Sequence, residues 1–260
     1  MTATLRLAVQ SAWVDFQEVA VSGFLLFAAV WQPFFIGVTT MYMLRHRADF
    51  DPMYVIVGTA LSGIWSTLLF AGSGAISHER WTGTLELLVA SPASFFVVIG
   101  GRLAGTTVFS LLSLLLAYGI GAALFGYPIT IAEPGWFAVS LLLAVVALWA
   151  TCMLFAPLAI LWRAVGRFLL GLEYPIFALS GFLFPILLLP GWVVPISNIL
   201  PPYWAAVAMH GAASGELDTP GLLRAWFFLF LTGGALLLIA HGLFDEVLTR
   251  ARRAGTLALS

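Results

Sequence analysis

The chain has 260 residues, 62% of them hydrophobic and only 9% charged, against roughly 45–50% apolar and about 25% charged in soluble domains, so a water-soluble globule is excluded. Its 11 arginines and 12 acidic residues leave a net charge of −1, which provides no basic surface for nucleic acid. Lysine is absent altogether, so the chain lacks the phosphate-gripping G-x-x-x-x-G-K-[ST] loop and cannot form a lysine Schiff base; any ATP-driven work must be powered by another polypeptide.

At 100° per residue, Leu5, Val9, Ala12, Trp13, Phe16 and Ala20 fall within a sector of about 100°, with Arg6, Gln10, Ser11, Asp15, Gln17 and Glu18 around the rest. Residues 1–18 therefore read as an amphipathic helix lying in the membrane surface, not as a cleavable signal peptide. Apolar spans follow at 19–43, 53–76, 95–125, 136–161, 168–189 and 222–244. Six spans put both termini on one side. Arg6, Arg80, Arg102, Arg163, Arg167, Arg250, Arg252 and Arg253 share that side, against Arg45, Arg47 and Arg224 on the other; the termini and the tail 245–260 are expected in the cytoplasm. Cys152 is the single cysteine and lies in an apolar run, which excludes an internal disulfide and a cysteine-cluster metal site. No metal or other cofactor is expected on this chain.

Two connections depart from simple loops. Between the second and third spans, residues 77–94 have helical character, with Trp81, Leu85 and Leu88 spaced i, i+4, i+7 before Ser91-Pro92, an N-cap followed by proline. The stretch 175–221 is apolar but interrupted by Pro175, Pro185, Pro190, Pro195, Pro201, Pro202 and Pro220. Proline breaks helices and frees backbone carbonyls, so this stretch reads as the end of the fifth span followed by short re-entrant or interfacial helices packed on protein.

The cytoplasmic segment runs Glu79-Arg80-Trp81-Thr82-Gly83-Thr84-Leu85-Glu86-Leu87-Leu88, then Ser91-Pro92 and Gly100-Gly101-Arg102. A short charged helix with a glycine for close approach and Trp81 and Leu85 as apolar anchors suits docking into a cleft on a soluble partner; a purely structural interfacial helix has the same composition. The pattern E-R-x-x-G-T-L-E-x-L-x-x-x-P followed by G-G-R resembles the signature of ABC-type exporter permeases of the second type. Phe182-Leu183-Phe184-Pro185, Leu189-Pro190-Gly191-Trp192 and Leu200-Pro201-Pro202-Tyr203-Trp204 resemble that family's extracellular re-entrant region. The resemblance implies an all-α integral membrane protein: six transmembrane helices, an N-terminal interfacial helix, a cytoplasmic coupling helix and extracellular re-entrant helices. It also implies two copies of a separate ATP-binding subunit carrying ATP and Mg, a second permease copy as homodimer partner, and residence in a prokaryotic plasma membrane. By the same resemblance, coupling falls to Glu79, Arg80, Trp81, Gly83, Thr84, Leu85, Glu86 and Leu88.

On the second span Thr59, Ser62, Ser66, Ser73 and Ser77 lie within about 60° of one another. This small hydroxylated face either packs tightly with each hydroxyl bonded to its own backbone, or lines an export path or two-fold seam; the resemblance puts the second and fifth spans at that seam. Trp65, Phe70, Phe177 and Phe182 are candidate wall residues. Gly101-x-x-x-Gly105 matches the small-residue packing pattern and carries no functional weight. Arg102 lies about 15 Å of helix beyond Pro92 and is expected to reach the cytoplasmic interface, where Glu173 can pair with it or with Arg167, as a structural ion pair or a gate.

The leading expectation is the permease half of an ATP-driven exporter of amphiphilic or lipid-like molecules. A secondary transporter is the first alternative, disfavoured because no Asp or Glu stands out mid-membrane. A rhomboid-like intramembrane serine protease is a weaker one: Gly72-Ser73-Gly74 and His241 resemble its parts, but Ala71 stands where the leading glycine belongs.

Overall fold

A computed structural model describes residues 3–46, 51–81, 83, 94–126, 130–161, 168 and 171–254. Among them the chain is all helix: α1 (Ala3–Val21), α2 (Gly23–Leu26), a π-helical turn (Phe27–Trp31), α3 (Gln32–Leu44), α4 (Pro52–Trp81), α5 (Phe95–Ser110), α6 (Leu112–Phe125), α7 (Pro134–Leu161), α8 (Glu173–Ser180), a 3-10 turn (Ile186–Leu188), α9 (Val193–Ser197), α10 (Pro201–Ser214) and α11 (Thr219–Ala254). Five helical stretches are long and apolar enough to cross a membrane: Gly23–Leu44, Pro52–Gly72, Phe95–Phe125, Pro134–Ala159 and Thr219–Arg250. They coincide, within a few residues, with five of the six spans expected from hydropathy.

The fifth expected span, 168–189, is described at 168 and 171–189. Its longest described helix is the eight-residue α8, closed by Gly181 at φ +66. A left-handed glycine ends a helix without steric cost, and Pro185, at the start of the 3-10 turn, has no N–H with which to resume one. Beyond it the proline-rich stretch forms the short helices its prolines require. Of these α10 is the longest; it begins on Pro201 and Pro202 and is buried among α4, α7 and α11.

The bundle is organised around α4, which packs against α3, α5, α6, α7 and α10. Its apolar stretch is 94% buried inside the chain, whereas the other four spans are 22–50% buried. Such enclosure needs small side chains at the crossings. A Cβ on Gly58 would stand 1.8 Å from the Phe182 carbonyl oxygen, and one on Gly63 would stand 2.4 Å from the Ser113 Cβ. Between these contacts Leu61, Ile64, Trp65, Leu68 and Leu69 fill the core together with Ile99, Leu148 and Phe244.

Helix α1 lies along α5. The Gly101-x-x-x-Gly105 pattern is its seat: a Cβ would meet the Ala8 carbonyl oxygen at 2.6 Å from Gly101, and the Ala12 carbonyl oxygen at 2.2 Å from Gly105. Of the apolar stripe read from the sequence, Leu5, Val9 and Trp13 are exposed while Ala12 and Phe16 pack on α5, and Asp15 turns inward and is buried. An apolar outer stripe is what a helix at a lipid surface presents. Asp15, read from the sequence only as lying off the apolar sector, sits beside the Gly101–Gly105 seat because Ala8, Ala12 and Asp15 share one turn-by-turn face.

Replacing Gly105 with Ala should lift α1 from α5 and cost about 1–3 kcal/mol, read as a lowered thermal midpoint in detergent. Gly119→Ala, whose Cβ meets nothing within 4 Å, should be neutral or stabilising.

Candidate functional site

Two polar centres interrupt this apolar bundle, and both were only partly visible as residue types. The first is built on α8. Glu173 is 3% exposed, and its carboxylate accepts hydrogen bonds from the Gln32 side-chain amide and the Ser66 hydroxyl. Gln32 is delivered by the break in the first span: its backbone N–H donates to the Phe27 carbonyl, five residues back, and the wide turn accommodates Pro33, which has no N–H to give. Three elements thus converge on one carboxylate.

The second centre joins α1 to α5. Arg102 is buried and hydrogen-bonds the Glu18 carboxylate, its Nε stands 3.6 Å from Asp15 Oδ1, and the Thr106 hydroxyl donates to Asp15 Oδ2 at 2.5 Å. The expected partnership of Arg102 with Glu173 is therefore corrected. Arg102 pairs with the interfacial helix because the two glycines beside it bring α1 into reach, whereas Glu173 is occupied by Gln32 and Ser66. Arg167 lies outside the described residues. Burial pushes the Asp15 carboxyl above its ordinary 3.8, opposed by the Thr106 hydrogen bond and the Arg102 charge.

The described part of the hydroxylated face of α4 is interior to the chain. Thr59, Ser62 and Ser66 are buried, as is Trp65. The Ser62 hydroxyl donates to the Thr59 carbonyl at 2.8 Å, the self-bonded arrangement of a packed helix, whereas the Ser66 hydroxyl shares its one hydrogen between the Ser62 carbonyl, at 2.8 Å, and the Glu173 carboxylate. At Thr59, Ser62 and Ser66 the neighbours come from the chain itself: Gly37 of α3 packs against Thr59, Pro33 and Ser113 close over Gly63, and α8 meets Ser66. Ser73 is helical, with its side chain outside the described residues. Phe177 and Phe182 are buried with ring centroids 5.8 Å apart. Phe70 is half-buried and faces Phe24, at 5.2 Å between rings.

Of the coupling residues, Glu79, Arg80 and Trp81 form the last turn of α4, with side chains outside the described residues, and Gly83 turns the chain at φ +71. Thr84, Leu85, Glu86 and Leu88 lie outside the described residues. Unlike the expected separate segment, its first residues continue the second span: α4 runs unbroken from the core to Trp81, about 14 Å past Gly72, where the apolar stretch ends. His241 is largely exposed and stands 3.8 Å from Asp245 on its own helix.

Sequence reasoning passed over Gln32, Asp15, Glu18 and Thr106. Gln32-Pro33 inside an apolar run was a usable signal, since an uncharged polar group in a span needs a partner; so was the i, i+3 spacing of Asp15 and Glu18 on a helix with a single arginine near its seat.

Removing the Ser66 hydroxyl leaves the buried Glu173 short of a donor, so Ser66→Ala should lower stability by about 1–3 kcal/mol, and Ser62→Ala, which loses only a local backbone bond, by less; thermal unfolding in detergent distinguishes them. Because Asp15 binds its proton more tightly in the folded chain, its contribution to stability is full below 3.8 and is lost as pH rises through the elevated value. Asp15→Asn should flatten that part of the dependence of thermal midpoint on pH. Compared with models of known protein families and with curated protein sequences, the chain matches none.

Proposed function

We propose that this chain is the membrane-spanning permease subunit of an ATP-driven exporter of the second ABC type, moving amphiphilic molecules out of the cytoplasm or inner leaflet. Two copies of the chain form the transporter, and each binds one ATP-binding subunit through residues 79–88. In this reading a sixth span runs through 168–189, both termini are cytoplasmic, and the membrane is the plasma membrane of a prokaryote.

The observation that carries the reading is the E-R-x-x-G-T-L-E-x-L sequence, which begins in the last turn of α4. A helix enclosed by the rest of the bundle moves with it, so a displacement applied at Trp81 and beyond is passed into the core as rigid-body motion. The chain has no lysine for a nucleotide loop, so the push must come from outside. Coupling of this kind requires no catalytic residue in the permease, only an interface whose two states differ in contact with the ATPase.

Leu85→Asp combined with Glu86→Arg should abolish co-purification with the ATP-binding subunit while leaving membrane insertion and thermal midpoint intact. Undiminished recovery of the ATPase would contradict the coupling assignment. One observation favours a second reading, a secondary transporter: Glu173 is a buried carboxylate held by neutral donors alone among the described residues, the kind of group that carries a coupling proton. Transport by the chain in the absence of any ATPase would select it.

A further inference from the structure

Where α1 gives way to α2, the chain leaves a crevice of about 400 Å³ between the interfacial helix, the start of the first span, α4 and α5. Its polar end is made by Asp15, Glu18 and Arg102, and its walls include Phe24, Leu25 and Phe70. We propose that this crevice binds amphiphilic organic cations, with a protonated amine or quaternary ammonium set against Glu18 and an apolar body lying along Phe24, Leu25 and Phe70.

Charge selects the head. Two carboxylates face one guanidinium, a formal charge of −1 among the described lining residues, and the guanidinium already serves both acids. An incoming anion meets an arginine whose charge is taken and a second carboxylate that repels it. An incoming cation finds Glu18, whose side chain is 43% exposed while Arg102 and Asp15 are buried, so the reachable atoms of the cluster are carboxylate oxygens. Shape and chemistry select the tail. The volume is that of a drug-sized pocket and too small for a whole two-chain lipid, and its walls include Phe24 and Phe70, aromatic side chains of the kind that attract a cation or an apolar ring. The crevice sits beside the helix whose exposed Leu5, Val9 and Trp13 suit a lipid surface, where amphiphiles concentrate.

This inference goes beyond the exporter reading and does not depend on it, since binding is measured on the full chain without an ATPase. Rhodamine 6G fluorescence anisotropy is titrated with the chain in decyl maltoside. Saturable binding is expected, displaced by decyltrimethylammonium and not by decanoate. Glu18→Gln should weaken it roughly tenfold, and Phe70→Ala about three- to tenfold, each variant being checked for an unchanged thermal midpoint. Should Glu18→Gln fail to fold, Phe70→Ala and the decanoate comparison still decide. Displacement of the dye by added phosphatidylethanolamine would make a lipid headgroup the resident ammonium, and lack of displacement would make the ligand a free amphiphile; both support the site. Equal competition by decanoate, or unchanged affinity in both variants, would overturn it.

Discussion

A helix enclosed by other helices inside a membrane gains nothing from burying leucine, because lipid tails are as apolar as its neighbours; it is held by close packing and by hydrogen bonds. Helix α4 lives under that constraint, and much of the chain is arranged to meet it. Gly58 admits a carbonyl from the turn after α8, Gly63 admits Ser113, and the Ser113 hydroxyl donates to the Ala60 carbonyl at 3.0 Å. The same logic recurs at the edge of the bundle, where Gly101 and Gly105 let the backbone of α1 come within touching distance of α5. Both crossings depend on residues that contribute no side-chain surface at all.

Close packing also explains how two carboxylate centres are tolerated. A carboxylate withdrawn from water needs donors or a counter-charge, and each centre uses a different solution. Glu173 is served by two neutral donors from separate elements, whereas Asp15 and Glu18 share a guanidinium. The neutral solution ties α8 to α3 and α4; the ionic solution ties α1 to α5.

Hydropathy located five membrane-length helices to within a few residues, since the apolar runs are long and their ends are marked by charge, proline or glycine. At 168–189 a hydropathy sum does not register that Gly181 adopts a left-handed conformation and closes α8. Helical phase found the apolar stripe of α1 but not the fate of Asp15, whose partners Thr106 and Arg102 lie far along the chain. Likewise, the hydroxylated face of α4 was legible as a face and not as an address: periodicity says which residues point together, never what they point at. Gly101-x-x-x-Gly105 is common enough in apolar sequence to have been set aside, and only the approach of Ala8 and Ala12 gives it meaning.

The π turn at Phe27–Trp31 carries one residue more than an α turn, so everything after it is rotated by about 100° relative to an uninterrupted helix. The first span thereby becomes two half-helices with independent azimuths. Phe24, before the turn, faces the crevice beside α1, and Gln32, after it, faces Glu173. Ironing out that extra residue would turn Gln32 away from Glu173, so the amide that serves the buried carboxylate depends on the wide turn before it.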